Sequence, residues 1–255
     1  MASETKEWRT AVTRIEANSI RVRGVDIADL MEAGSFAATI FLLLAGRRPN
    51  ENEARLFEAI LISSVDHGVT PPSCVSARTV ASCGVPLSTA VAAGILAIGR
   101  HHGGAVEASM EMLYAGVREQ QGAGRTASEQ ASAMVDAARR EKRRLSGFGH
   151  RLHTRDPRTA HLLPFAAKLG IAGAHVALGE AIAAALEASA GRAMPMNVDG
   201  AIAALLCEMA FPARLGNAPF IVSRVPGLVA HIHEEETRER PMRTIVPQEA
   251  VYDGP

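Results

Sequence analysis

Ile20 and Val22 alternate with Arg21 and Arg23, and Asn18–Ser19 stands before them as a turn signal, so residues 13–27 predict a short β-hairpin. Elsewhere the apolar positions recur at helical spacing. Ser35 opens the run FAATIFLLLAG, Gly46 is placed to close it in the left-handed conformation, and Pro49 follows the end. Residues 53–66 put Leu56, Ile60 and Ser63–Ser64 on one stripe. Pro86 starts an Ala/Ile/Leu helix over 86–99. Another spans 104–121 with Met110 and Leu113 inward, and 127–145 is amphipathic with a basic end that complements the helix dipole. Ala/Leu-rich helices are expected at about 165–189 and 198–210, and the tail 217–255 holds one more helix before a Pro-punctuated extension. Helix dominates and strand is nearly absent, so the predicted class is all-α. Gly/Pro-rich joints near 103, 147 and 195 are candidate hinges.

Composition narrows the function more than the fold. Of 255 residues, 47% are hydrophobic and 21% charged, which is globular rather than disordered. Aromatics make up only 4%, and small Ala side chains favour closely packed helices. A formal net charge of zero gives no global attraction to nucleic acid or a membrane surface, while a local Arg cluster still suits a small anion. Cys74, Cys83 and Cys207 lack CxxC spacing and are expected as small buried side chains in a cytoplasmic setting. The polar start MASETKEWRT does not read as a signal peptide, and the longest uncharged stretch, Thr79–Gly99, reads as a loop plus a buried helix rather than a membrane span.

No metal spacing occurs among the nine histidines, and no P-loop, dinucleotide fingerprint or serine elbow is present. Three segments stand out instead. In GRHHGGA (99–105), two glycines after His102 lead into a helix; a histidine there is kept neutral and can donate to a developing enolate oxygen, or is simply a surface-loop residue. In GFGHRLHTRDPR (147–158), glycines and a guanidinium cluster suit a polyanion, or form a solvated basic loop. In PMNVDG (195–200), Asp199 is either a helix N-cap or a catalytic carboxylate.

In that order, HGGA, GFGH and NVD resemble the citrate synthase superfamily, and the likeness covers nearly the whole chain. SIRVRGVDIADLMEAGSFAATIFLLLAGRRP (19–49) is similar to the family's N-terminal region, VDHGVTPPSCVSARTVAS (65–82) to its oxaloacetate-site segment, and SRVPGLVAHIHEE (223–235) with ERP (239–241) to its C-terminal arginine motifs. The resemblance implies an all-α, two-domain helical fold with a minor N-terminal hairpin. Residues 1–105 and 212–255 would form the large, dimer-forming domain and 106–211 the small, mobile, CoA-binding one. It implies His102, His150 and Asp199 as catalytic residues. His67, Arg158, Arg224 and Arg240, with His150, would hold the dicarboxylate. Gly147, Phe148 and Gly149 would lie against CoA, with Arg151 and Arg155 at its phosphates. The last arginine comes from the partner subunit in the family, so a homodimer with shared sites is implied. No metal and no tightly bound cofactor are expected; coenzyme A enters as part of the thioester substrate, beside di- or tricarboxylate small molecules.

The chain also departs from full-length citrate synthases. ARLFEAILISSVDHG follows the first helices almost at once, where those enzymes carry a sizeable helical block. Val106 stands where many have Asn, and the His150 to Arg158 spacing is one residue shorter. DHG, GHR and NVDG look like the citryl-CoA lyase module, which points to cleavage of citryl-CoA into acetyl-CoA and oxaloacetate. Citrate or methylcitrate synthesis, and an inactive subunit that binds a CoA ester, are the alternatives.

Overall fold

The computed structural model describes residues 8–149, 156–244 and 246–255. It is all-α apart from one small sheet, as the hydrophobic spacing predicts. The chain resolves into two compact units, residues 1–59 and 60–255. None of the helices is long and apolar enough to cross a membrane among the described residues.

In the first unit, β1 (Thr13–Glu16) and β2 (Ser19–Val22) pair antiparallel with Ile15 opposite Ile20, around Asn18 at φ 59°, and β3 (Val25–Asp26) adds a third strand. Val22 is buried, whereas Ile15 and Ile20 stay exposed in the single chain. Helix α1 (Ile27–Ala33) is capped by Asp26, and α2 (Phe36–Ala45) has the expected ends: Ser35 Oγ accepts from Ala38 N at 3.1 Å, and Gly46 takes φ 75°. Helix α3 (Glu51–Ser64), which belongs to this unit as far as Ala59, starts where Asn50 and Glu53 cap one another reciprocally, each side chain accepting from the other's backbone N–H at 2.9 Å. Arg47 forks onto Glu53, and Phe41 meets Phe57 edge to face.

In the second unit, α4 (Pro72–Ala81), α5 (Leu87–Leu96) and α11 (Ala218–Arg238) pack through Ala77, Ala81, Ala90, Leu228 and Ile232. The small side chains decide how close they come: a Cβ at Gly94 would lie 2.8 Å from Leu228 and 3.1 Å from Ala77. The other packing group is α6 (Ala105–Gly122), α7 (Ala127–Arg140), α8 (Pro157–Lys168), α9 (Ala174–Ala190) and α10 (Val198–Glu208). Every residue from Gly200 to Cys207 is buried, so α10 is the mostly apolar helix against which α6, α8 and α9 pack.

Several expectations are corrected. The helix predicted at 165–189 is two helices, because Gly170 at φ 71° ends α8 and α9 restarts after Gly173. The helix predicted to reach 145 stops at Arg140, where Lys142 turns the chain at φ 52°. The helix predicted over 86–99 starts after Pro86 and ends at Leu96, and α1 and α4 carry no separate signal in the hydrophobic spacing. Cys74 and Cys207 are buried, but Cys83 is exposed beyond the end of α4.

Two carboxylates, Glu235 buried and Glu208 half-buried, tie distant segments together. Glu235 is 2% exposed; it accepts from Arg78 Nε at 2.6 Å and from Arg243 Nε and Nη2 at 2.6 and 2.8 Å. Arg243 N also donates to Ser82 Oγ, so the segment after α11 folds back onto the end of α4. Glu208, at the end of α10, caps α9: Oε1 accepts from the backbone N–H groups of Gly173, His175 and Val176 at 2.9, 2.9 and 3.0 Å, and Oε2 lies 3.2 Å from His175 Nδ1. Gly173 supplies no capping side chain, and a Cβ there would meet Glu208 at 2.8 Å. Burial raises the Glu208 pKa, but its His175 and backbone donors outweigh that and hold it below the ordinary carboxylate range.

Glu208→Ala is therefore expected to destabilise the protein by about 2 kcal/mol in denaturant titrations near pH 7, a lost cap plus unsatisfied donors. A carboxylate with a lowered folded pKa contributes stability above its unfolded value, about 4.3, and loses it as pH falls through the folded value. The difference between wild type and variant then shrinks below about pH 4; a difference that persists unchanged at pH 3 would assign the effect to packing instead.

Candidate functional site

Four of the residues singled out in the sequence come together in the second unit. The turn Gly99–His102 closes with two backbone hydrogen bonds, Gly99 N to His102 O at 2.8 Å and His102 N to Gly99 O at 2.9 Å. It sets His102 three residues ahead of α6, whose N-cap is Gly104. The two glycines are required by close approach: a Cβ at Gly103 would lie 2.4 Å from the Phe220 ring, and one at Gly104 would lie 2.6 Å from Gly99 O. The His102, His67 and Phe220 rings form a triangle with centroids 5.8–6.4 Å apart. Arg224 is 1% exposed on α11, with its Cζ 5.0 Å from the Phe220 centroid.

Arg158 is close enough to act electrostatically on both His67 and Arg224. It sits in the first turn of α8, where Asp156 caps the helix through the Arg158 N–H and also takes the Arg158 Nε and Nη2 at 3.1 and 2.9 Å. Asp156 is itself 1% exposed, so the guanidinium is aimed by a buried carboxylate.

The charge state of the two imidazoles follows from this cluster. Desolvation by the surrounding protein, then Arg224, His102 and Arg158, hold His67 down to about 4, although the residue is exposed in the single chain. His102 is also lowered, by burial first and Arg224 second. A neutral His102 was expected from the helix dipole; the buried cation does that work as well. His102 Nε2 lies 2.8 Å from Ser73 Oγ, and Ser73 is fully buried in the first turn of α4. A neutral ring that accepts from Ser73 carries its proton on Nδ1, where it can be donated to a ligand.

A second cluster joins the other two motifs. Gly149 N donates to Pro195 O at 2.8 Å, Asn197 N donates to Gly147 O at 3.0 Å, and Phe148 bridges Met196. Asn197 caps α10 through Gly200 N and holds Gly149 O with its amide. Asp199 is therefore not the N-cap; it stands half-buried in the first turn of α10. Gly147 at φ 86° and Gly200 touch: a Cβ on Gly147 would lie 2.7 Å from Gly200 Cα, and one on Gly200 would lie 2.4 Å from Gly147 O. The same contact brings in Ser109 of α6, so the starts of α6 and α10 meet at this loop.

His150, Arg151 and Arg155 lie outside the described residues. Arg240 is exposed on the segment after α11, and its neighbour Arg243 makes the pair with Glu235. Sequence reasoning missed Ser73, Asp156 and Phe220. Asp156 had a signal, since Asp-Pro before a helical run marks a cap. Ser73 had none, because its role depends on a histidine 29 positions away.

The family model for the citrate synthase C-terminal domain matches residues 45–245. A solved citryl-CoA lyase from Hydrogenobacter thermophilus is 39% identical, superposes with a TM-score of 0.89, and covers 97% of this chain and 95% of its own. Citrate synthase from Haloferax volcanii is 31% identical over 87% of this chain and 57% of its own length. The solved citrate synthase of Pyrobaculum aerophilum is 30% identical with a TM-score of 0.68, over 86% of this chain and 53% of its own. The chain thus spans little more than half the length of these two citrate synthases. Its helical fold agrees with these matches, and the chain belongs to the citrate synthase family.

Proposed function

We propose that this chain cleaves citryl-CoA to acetyl-CoA and oxaloacetate. One observation carries the reading of cleavage over synthesis: the likeness to the Hydrogenobacter thermophilus citryl-CoA lyase, at 39% identity, covers 97% of this chain and 95% of that one, whereas the Haloferax volcanii and Pyrobaculum aerophilum citrate synthases, at 31% and 30% identity, are matched over 57% and 53% of their own length. Condensation of an acyl-CoA with oxaloacetate is the second reading, favoured by the 31% identity to a citrate synthase.

In cleavage, His150 takes the proton of the tertiary hydroxyl as the oxaloacetate carbonyl forms. The electrons of the breaking C–C bond pass to the thioester, and neutral His102 donates to the resulting enolate oxygen. Asp199 then gives its proton to the methylene carbon, producing acetyl-CoA, and proton exchange with solvent resets both groups. Arg158 and Arg224, with Arg240 from a partner subunit, bind the carboxylates, and His67 meets them as an uncharged donor. The loop 147–149 faces the CoA moiety, with Arg151 and Arg155 at its phosphates. Residues 106–211 act as the mobile small domain of a homodimer whose remainder, 1–105 and 212–255, forms the large domain. Preorganised donors of the His102 kind are worth roughly 3–4 kcal/mol each.

Purified protein given synthetic citryl-CoA is expected to yield oxaloacetate, read by a coupled dehydrogenase, together with acetyl-CoA. Release of free CoA and citrate instead would establish a hydrolysing synthase. Asp199→Asn is expected to lower kcat by about 10²–10⁴, and near-wild-type turnover would remove Asp199 from the mechanism. Because His67 is held at about 4, its Cε1–H NMR signal is expected to stay flat from about pH 5.5 to 8; an inflection near the ordinary value of about 6.5 would show an imidazolium at the site.

A further inference from the structure

We infer that Asp66 and His231 form a positioning pair that sets the Arg224 guanidinium for its carboxylate ligand, an assignment that rests on the reading of Arg224 as a substrate-binding residue. Arg224 is almost wholly buried, and its Nη1 reaches Asp66 Oδ1 at 3.5 Å. Its Nε and Nη2 are buried with no hydrogen-bond partner among the described residues. Those two N–H groups share one edge of the planar guanidinium, the edge that takes a carboxylate side-on. Anchoring the remaining nitrogen, with the Phe220 ring beside the guanidinium, leaves that edge for a ligand.

Asp66 is itself held from two directions. Gly68 N donates to its Oδ2 at 2.9 Å, and His231 Nε2 lies 3.1 Å from its Oδ1. His231 follows Arg224 by two turns on α11, so both side chains leave the same helix face and converge on one carboxylate. Gly227, between them, lets the loop seat on the helix: a Cβ there would lie 2.4 Å from Val65 O and 3.1 Å from Asp66 Oδ1. Burial raises the Asp66 pKa, yet Gly68 N–H, His231 and Arg224 outweigh it and keep the group ionised.

Positioning and plain charge compensation predict opposite results. If Asp66 only offsets the cation, removing its charge strengthens dianion binding, whether the replacement is Asn or Ala. If it positions Arg224, Ala frees the guanidinium and weakens binding, while Asn keeps an acceptor and preserves most of it. The test is a set of crystal structures of wild type, Asp66→Asn, Asp66→Ala and His231→Ala, with oxaloacetate titrated by calorimetry and citryl-CoA kinetics on each. Asp66 has 40% of its side-chain surface exposed, so its variants are expected to fold, with thermal unfolding as the control. Asp66→Ala is expected to show a turned guanidinium and about 10- to 100-fold weaker oxaloacetate binding. KM for citryl-CoA should rise with little change in kcat, Asp66→Asn should recover most of the loss, and His231→Ala should show a smaller shift of the same kind. An undisplaced guanidinium in Asp66→Ala, or tighter binding in both Asp66 variants, overturns the assignment. If wild type neither binds oxaloacetate nor cleaves citryl-CoA, the functional reading falls; the Arg224 orientation in Asp66→Ala still decides whether Asp66 positions it.

Discussion

A guanidinium removed from water costs several kcal/mol unless the protein compensates it, and Arg224 is only partly compensated among the described residues. Much of the surrounding group answers that demand. Asp66 supplies the countercharge, Phe220 a face, and Gly227 the room for the Asp66 loop to approach. The remaining donors are a standing requirement for an anion. The same buried cation also acts on the imidazoles beside it, because a positive charge nearby disfavours a second one. Two cations and two neutral histidines in one cluster suit a ligand with several carboxylates and an uncharged carbonyl or hydroxyl.

The fold is organised so that each motif borrows its geometry from another. His102 is placed by a turn but oriented from α4, through Ser73. Arg158 is aimed by its own helix cap. The loop at 147–149 has no regular structure of its own; its backbone groups are satisfied by the entry to α10, and Asn197 serves both sides at once. Arrangements of this kind hold side chains still without long hydrogen-bonded elements, because short polar segments are locked at several points.

What could be read from the sequence was local. Ser35 and Gly46 marked the ends of α2 because capping needs only neighbouring residues, and the Ile/Arg alternation marked the hairpin for the same reason. The helix break at Gly170–Gly173 was missed because the capping carboxylate, Glu208, is 35 residues further on. Cys83 reads as apolar, but its position past the end of α4 exposes it. In the site, His67, His102, Arg158 and Arg224 were legible through the motif resemblance. The groups that orient them, Ser73, Asp156 and Asp66, were not marked out, since orientation depends on distances that spacing along a chain does not carry.

The contact between Gly147 and Gly200 bears on how such a site drifts over generations. Two ordinary core side chains that touch can trade volume, one growing as the other shrinks. Here both partners already have no side chain, and each Cβ would strike the other's backbone. No second substitution at either position relieves the first. The route to a new specificity therefore runs through other residues of the site, while the glycine pair stays fixed as the floor on which those changes are made.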